Sequence, residues 1–283
     1  MEYKSFYKTV GGGEGQKCHY PTRLDTYGCG CQHDCSYCYA KSLLDFRGLW
    51  NAEAPSVADI DKIRRKVKKL QPGAIVRLGG MTDCFQPIER CLHVTHETIK
   101  ALNEQKIGYL IVTKSDLVAE DEYLEVMDKD LAHIQVTITC VDDNLYKVLA
   151  YEKAPLPSKR IRAVERLQEH GFDVAVRLSP FIPEFVDCDV LNRIKCDKIL
   201  VEFLRVNSSI KEQFKIDYSD YTVKQGNYLH MPLERKLEYL DYIRGYKEVT
   251  VCEDENKAYN YWQNHFNPNP DDCCNLRKAV LGE

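Results

Sequence analysis

Apolar and polar positions along this chain follow two periods in turn, and each change of period marks an element. Ile60, Ile63, Val67 and Leu70 recur at helical spacing on one face. Ser56-Val57-Ala58-Asp59 ahead of them resembles a capped helix start, and Pro72-Gly73 stops the run. Read the same way, further helices are predicted over 36–46, 93–104, 120–127, 158–170 and 190–194. Short strands are predicted over 23–27, 74–78, 109–113, 134–140, 173–178 and 198–203. Strands separated by helices specify a parallel sheet of β-α-β units. Six such units are too few for a closed eight-stranded barrel.

Residues 207–283 break the alternation. They read as a polar, tyrosine-bearing loop, a helix over 233–246, a strand over 249–252, a helix over 256–265 and a final loop, Asn267-Pro268-Asn269-Pro270-Asp271-Asp272-Cys273-Cys274. The expected organisation is therefore an N-terminal segment 1–22, a barrel 23–206 and an extension 207–283 that covers it. Gly11-Gly12-Gly13-Glu14-Gly15 in the first segment reads as a mobile loop.

Composition narrows the class. The 283 residues are 44% hydrophobic and 29% charged, as in soluble globular proteins. No apolar run approaches the ~20 residues of a membrane span. The start, Met1-Glu2-Tyr3-Lys4, lacks the layout of a signal peptide. A reducing, cytoplasmic setting is expected, in which 13 Cys serve as ligands and free thiols rather than disulfides. The net charge of −4 provides no global basic field, so any nucleic-acid contact has to come from a local patch. The basic runs at 62–69 and 159–166 fall on amphipathic helices, where such charges usually form the solvated face.

The candidate chemistry centres on Gly28-Cys29-Gly30-Cys31-Gln32-His33-Asp34-Cys35-Ser36-Tyr37-Cys38-Tyr39-Ala40. Cys31, Cys35 and Cys38 stand at C-x3-C-x2-C with an aromatic before the third thiol. Structural zinc wants four protein ligands, and no fourth follows at zinc-finger spacing. A 4Fe–4S cluster on three cysteines keeps one iron open. A zinc-stabilised binding module and an iron-dependent redox sensor are the competing classes. The first needs a fourth ligand and the second would not cleave a cofactor.

The string C-x3-C-x-Y-C resembles the signature of radical S-adenosylmethionine (SAM) enzymes. That resemblance implies a partial (β/α)6 TIM-type barrel, matching the strand count. It also implies a 4Fe–4S cluster whose open iron chelates SAM, and reductive cleavage of SAM to a 5′-deoxyadenosyl radical. An electron donor such as flavodoxin or ferredoxin is implied as partner. Thr82-Asp83-Cys84-Phe85-Gln86-Pro87-Ile88-Glu89 is similar to the T-D-x-Y-Q-P-x-E string of the spore photoproduct lyase-like branch, with Phe85 for Tyr. The likeness runs over roughly 23–205 and implies a nucleic-acid base or nucleotide as substrate. A peptide or small metabolite is the alternative, favoured by the charge balance.

Functional groups in such barrels sit at the C-terminal strand ends. Gly79-Gly80 resembles the segment that binds the methionine amino group, and Thr82 and Asp83 follow it. Lys114 ends a strand and is a candidate partner for the SAM carboxylate. Thr137 and Thr139 alternate with apolar neighbours, so both are expected on one face, within reach of the ribose. Arg177 is a candidate second clamp, and Tyr37 would flank the adenine. Met81 departs from the lyase pattern, because it stands where that enzyme carries a hydrogen-donating Cys, and Met has no S–H. Cys84 and Cys140 are the candidates to replace it. Cys18-His19 could be a metal pair, but a lone Cys-His dipeptide usually just fills surface or core. Cys252, Cys273 and Cys274 invite a second metal site. Adjacent cysteines diverge, however, and no C-x2-C occurs among them, so a covering segment is the favoured reading there.

Overall fold

The computed structural model of the protein describes residues 4–8, 17–149, 151–244 and 247–276; the glycine run at 11–15 lies outside them. Its strands are β1 (Phe6–Lys8), β2 (Thr22–Leu24), β3 (Tyr27–Gly28), β4 (Ser56–Val57), β5 (Ile75–Leu78), β6 (Gly108–Thr113), β7 (Ala132–Thr137), β8 (Asp173–Phe181), β9 (Lys198–Phe203), β10 (Val223–Gln225), β11 (Tyr228–His230) and β12 (Glu248–Val251). Eight of them form one sheet in the order β1-β2-β5-β6-β7-β8-β9-β12. Every pair from β2 to β12 is parallel, and only β1 runs antiparallel, on β2. The result is an open barrel with helices outside, the partial TIM-type fold expected. No helix among the described residues is long and apolar enough to cross a membrane.

Several features differ from the sequence reading: the strand expected over 23–27 is split into β2 and β3, Ser56-Val57 forms β4 rather than a helix start, and the helix expected over 36–46 runs Tyr39–Leu44. Two more reach the site. β12, expected outside the barrel, pairs with β9 in register (Val249 with Ile199, Val251 with Val201) and adds a seventh parallel strand. A short strand after a long helix pairs wherever an edge is open, and β9 leaves one. The strand expected over 134–140 ends at Thr137, three residues early. Past that point the chain turns toward the helix Asp143–Leu149, which the periodicity reading missed.

The helices pack as their patterns dictate. In Ile60–Val67, Ile63 and Val67 are buried while Lys62, Arg64, Arg65 and Lys66 face outward, and Asp59 caps the start by accepting from Asp61 and Lys62 N–H. The second basic run departs from this. On Pro157–Glu169 Arg160 points inward and is buried, because a carboxylate waits there.

Candidate functional site

The cysteine loop follows β3 and is held in shape by its own turns. Asp34 N–H donates to Cys31 O (3.1 Å), Cys38 N–H to Cys35 O (3.2 Å), and the Cys38 sulfur accepts from Lys41 N–H (3.4 Å) at the start of helix Tyr39–Leu44. Gly30 is obligatory, since a Cβ there would lie 1.8 Å from Asn51 O. Two other segments clamp the loop. Gln86 Oε1 accepts from Gln32 N–H (2.9 Å), and Gln32 Oε1 in turn accepts from Ile88 N–H (2.7 Å). On the opposite side Tyr151 O accepts from Ser36 N–H (2.9 Å), and Lys153 N–H donates to His33 O (2.6 Å).

Beneath the loop sits a buried charge. Glu152 and Arg160, 0% and 1% exposed, form an ion pair. Glu152 also accepts from Tyr37 Oη, from Thr139 Oγ1 (3.3 Å) and from the Cys35 thiol (3.3 Å). Burial opposes its ionisation, but the charges of Arg160 and Lys114 outweigh burial and hold the carboxyl at about 2. Tyr37 packs against Tyr151 and, edge-on, against Phe214. Burial pushes all three thiols up, Cys31 to about 12, and neighbouring acids add to this at Cys31 (Asp83) and Cys35 (Glu152).

The loop opens on a cavity of about 180 Å³ at the C-terminal ends of the strands. Cys31, Cys35, Cys38, Tyr37, Gly79, Gly80, Thr82, Asp83, Lys114, Thr137 and Arg177 all line it. Gly79 has φ +86°, and a Cβ there would meet Val112 O at 2.6 Å, so the sharp exit from β5 requires glycine. Asp25 accepts from Gly80 N–H (2.6 Å) and Met81 N–H (3.2 Å), and Tyr39 Oη donates to Gly80 O (2.8 Å). Lys114 Nζ bonds Ser179 O (3.2 Å) and lies 5.4 Å from the Tyr37 ring centre. Arg177 donates to Gln135 (2.7 Å) and pairs with Glu202. Partial burial opposes ionisation of Glu202, but Arg177 and Arg205 hold it at about 2.

Other expected residues fall elsewhere. Thr139 lies beyond the early end of β7, bonded to Tyr151 and Glu152, and does not face the cavity with Thr137. Cys84 is buried with its thiol toward Leu24 O (3.6 Å), and Cys140 turns to Asp142 O (3.3 Å). Neither lines the cavity. Asp83 and Thr82 line the wall with their polar atoms already engaged. Asp83 accepts from Thr113 Oγ1 (2.8 Å), Phe85 N–H (2.8 Å) and Lys114 N–H (2.7 Å) and lies 3.1 Å from His33 Nε2. Thr82 Oγ1 donates to Tyr27 O. Glu89 is fully buried and caps Val94–Glu104 by accepting from Thr95 and His96 N–H (both 2.9 Å). The Thr82–Glu89 string is therefore mainly a device that fastens the cysteine loop to the barrel.

The periodicity reading missed His33, Trp50, Tyr39 and Arg205 on the cavity wall and the Glu152–Arg160 pair beneath it. Only one of these carried a signal: a charged residue on the apolar face of a helix, which Arg160 is.

Three comparisons bear on the fold. The family model described as the radical SAM superfamily matches residues 26–195. An uncharacterised protein of Methanocaldococcus jannaschii is 29% identical over 169 residues, covering 57% of this chain and 61% of that protein. An uncharacterised protein of Acidianus two-tailed virus is 24% identical over 165 residues, 54% of each. The chain thus matches little more than half the length of these curated relatives. Among solved structures, spore photoproduct lyase complexed with dinucleoside spore photoproduct superposes with TM-score 0.61 at 16% identity, over 84% of this chain and 78% of that one. SuiB of Streptococcus suis bound to S-adenosylmethionine superposes with TM-score 0.55 at 18% identity, over 85% and 52%.

Proposed function

The chain belongs to the radical SAM superfamily, and on that footing we propose that it is an enzyme that directs a SAM-derived radical at a nucleic-acid base or nucleotide. The observation that carries the reading is one cavity lined jointly by Cys31, Cys35, Cys38, Gly79-Gly80, Lys114 and Thr137. The donor set suits a 4Fe–4S cluster. Three thiols face the cavity, one short of a closed zinc site, and the single imidazole on the wall, His33, is turned to Asp83. When bound, the cluster supplies an electron that cleaves SAM to methionine and a 5′-deoxyadenosyl radical.

The chain's own residues do the rest. The backbone of Gly79-Gly80 meets the methionine amino group, and Lys114 offsets its carboxylate. Thr137 meets the ribose, and Tyr37 borders the adenine. The Gln86 and Glu152 clamps hold the loop still and keep water from the sulfurs. Residues 23–206 form the catalytic barrel, and 207–283 complete and cover it. A cytoplasmic flavodoxin or ferredoxin is the reductant.

Two features favour a base as substrate. Trp50, Tyr39 and Arg205 line the cavity, with the Arg205 guanidinium 4.6 Å from the Tyr39 ring centre and 5.3 Å from that of Tyr228. Such surfaces stack on base faces. The fold is also that of a lyase solved with a dinucleoside bound. Repair of thymine dimers by a thiol hydrogen donor is not part of the reading. Among the described residues, the cysteines on the cavity wall are Cys31, Cys35 and Cys38 alone.

The test is anaerobic reconstitution with iron and sulfide, then dithionite and SAM, with 5′-deoxyadenosine as the readout. It is expected from the native chain, is lost in Cys35→Ala, and rises when oligonucleotides rather than peptides are supplied. A chain that stays colourless and leaves SAM intact overturns the proposal. Stimulation by peptides alone overturns the substrate assignment.

A further inference from the structure

Four other cysteines meet in one packed cluster against β5, β6 and β9. Cys18 comes from the N-terminal segment, Cys252 directly follows β12, and Cys273 and Cys274 belong to the final loop. Cys18, Cys252 and Cys273 line one cleft together with Lys17, Tyr259 and Gln263. Cys273 lies beside both Cys252 and Cys274. Adjacent side chains diverge in extended chain, but here the backbone is bent. Asn275 N–H donates to Asp272 O (3.1 Å), closing a turn with Cys273 and Cys274 at its two central positions. Buried Asp272 fixes that turn by accepting from Cys274 and Leu276 N–H (both 3.1 Å). Tyr20, Leu110 and Leu200 pack around the pair.

The spacing distinguishes the metals. Zinc–sulfur bonds of about 2.3 Å would bring all sulfurs of one site within roughly 4 Å of one another. Among the described residues, the one trio of donor atoms within 4.8 Å is His230, Glu253 and Asp254. Lys236 and Arg205 already pair with those two carboxylates, so that trio is a charge network. Neither cysteine group contains three sulfurs mutually that close, so neither is drawn up as a single zinc site. Arg77 and Arg177 lie near Cys274 and offset the negative charge that thiolates bring.

We propose that Cys18, Cys252, Cys273 and Cys274 hold a second iron–sulfur cluster. Arg77, Arg177, Glu202, Phe203 and Arg205 line both this cleft and the first cavity, and so form the partition between them. Four thiolates leave no iron open, so this site does not take SAM. It ties the N-terminal segment to the final loop.

The experiment uses the full chain carrying C31A, C35A and C38A, purified and reconstituted anaerobically with iron and sulfide. About four irons per chain are expected to remain, with visible absorbance and an electron paramagnetic resonance signal on reduction. Adding C273S should abolish both. Should that variant fail to fold, C18S, on a half-buried segment, replaces it and is expected to halve the retained iron or more. A triple variant that keeps native circular dichroism yet binds no iron, or binds zinc instead, overturns the proposal. The readout is independent of SAM cleavage, so failure of the first site leaves it unaffected.

Discussion

Cys31, Cys35 and Cys38 lie within eight consecutive residues, whereas Cys18, Cys252, Cys273 and Cys274 come from three segments at the two ends of the chain. The first group is shaped by a short loop with its own turns, a required glycine and a helix cap. The second exists only because the sheet brings β12 beside β9 and the N-terminal segment and final loop pack together against it. A local motif carries its geometry with it and needs the fold mainly for support. A dispersed one is made by the fold. The support under the first group is unusually polar: Glu152, Arg160, Tyr37, Thr139 and Gln86 are all buried and all bonded.

That contrast can be broken at its strongest point by Glu152→Gln. The change leaves the Arg160 charge buried without its partner and is expected to cost about 3–5 kcal/mol in urea denaturation. It should loosen iron at the first site more than at the second, and equal loss at both would argue against a local clamp.

The same pair sets an acid limit. The folded carboxyl of Glu152 sits at about 2, below its ordinary 4.5. A depressed carboxyl contributes stability that is whole above pH 4.5 and is lost as pH falls toward 2. Melting temperature in the native chain should fall through that window, and the fall should be shallower in Glu152→Gln.

A smaller effect is expected from Gln86→Leu, which strands the N–H of Gln32 at the rim of the cysteine loop. About 1–3 kcal/mol should be lost, together with slower iron uptake in reconstitution. Unchanged uptake would show that the Gln86 clamp is dispensable. Arg64→Ala sharpens the comparison from the other side. Its pairs with Asp61 and Glu97 are on the outer face and far from both cysteine groups. Stability should change by less than about 1 kcal/mol, with iron content unaffected.

Much of this arrangement is legible residue by residue. The helix at Ile60–Val67 and the strand Lys198–Phe203 follow directly from period and capping. The strand at 134–140 does not, because its β-branched run continues past the point where the neighbouring strand stops pairing, and Thr139 and Cys140 went with it. Asp83 and Thr82 are named from the sequence as ligand contacts, yet their polar atoms are engaged by protein groups. Residue type identifies which side chains can bond, and the partner is decided by neighbours far along the chain.

The sequence by itself determined the alternating β/α architecture, the three-thiol loop and the glycines at the end of β5. These depend on periodicity, spacing and local backbone freedom, which act over a few residues. Only the tertiary structure decided that Glu152 and Arg160 pair beneath the loop, that β12 extends the sheet, and that Cys18 meets Cys252, Cys273 and Cys274. Those contacts join residues far apart in the chain. They form where burial makes an unpaired charge or an open strand edge costly, and no local pattern records which distant group will answer it.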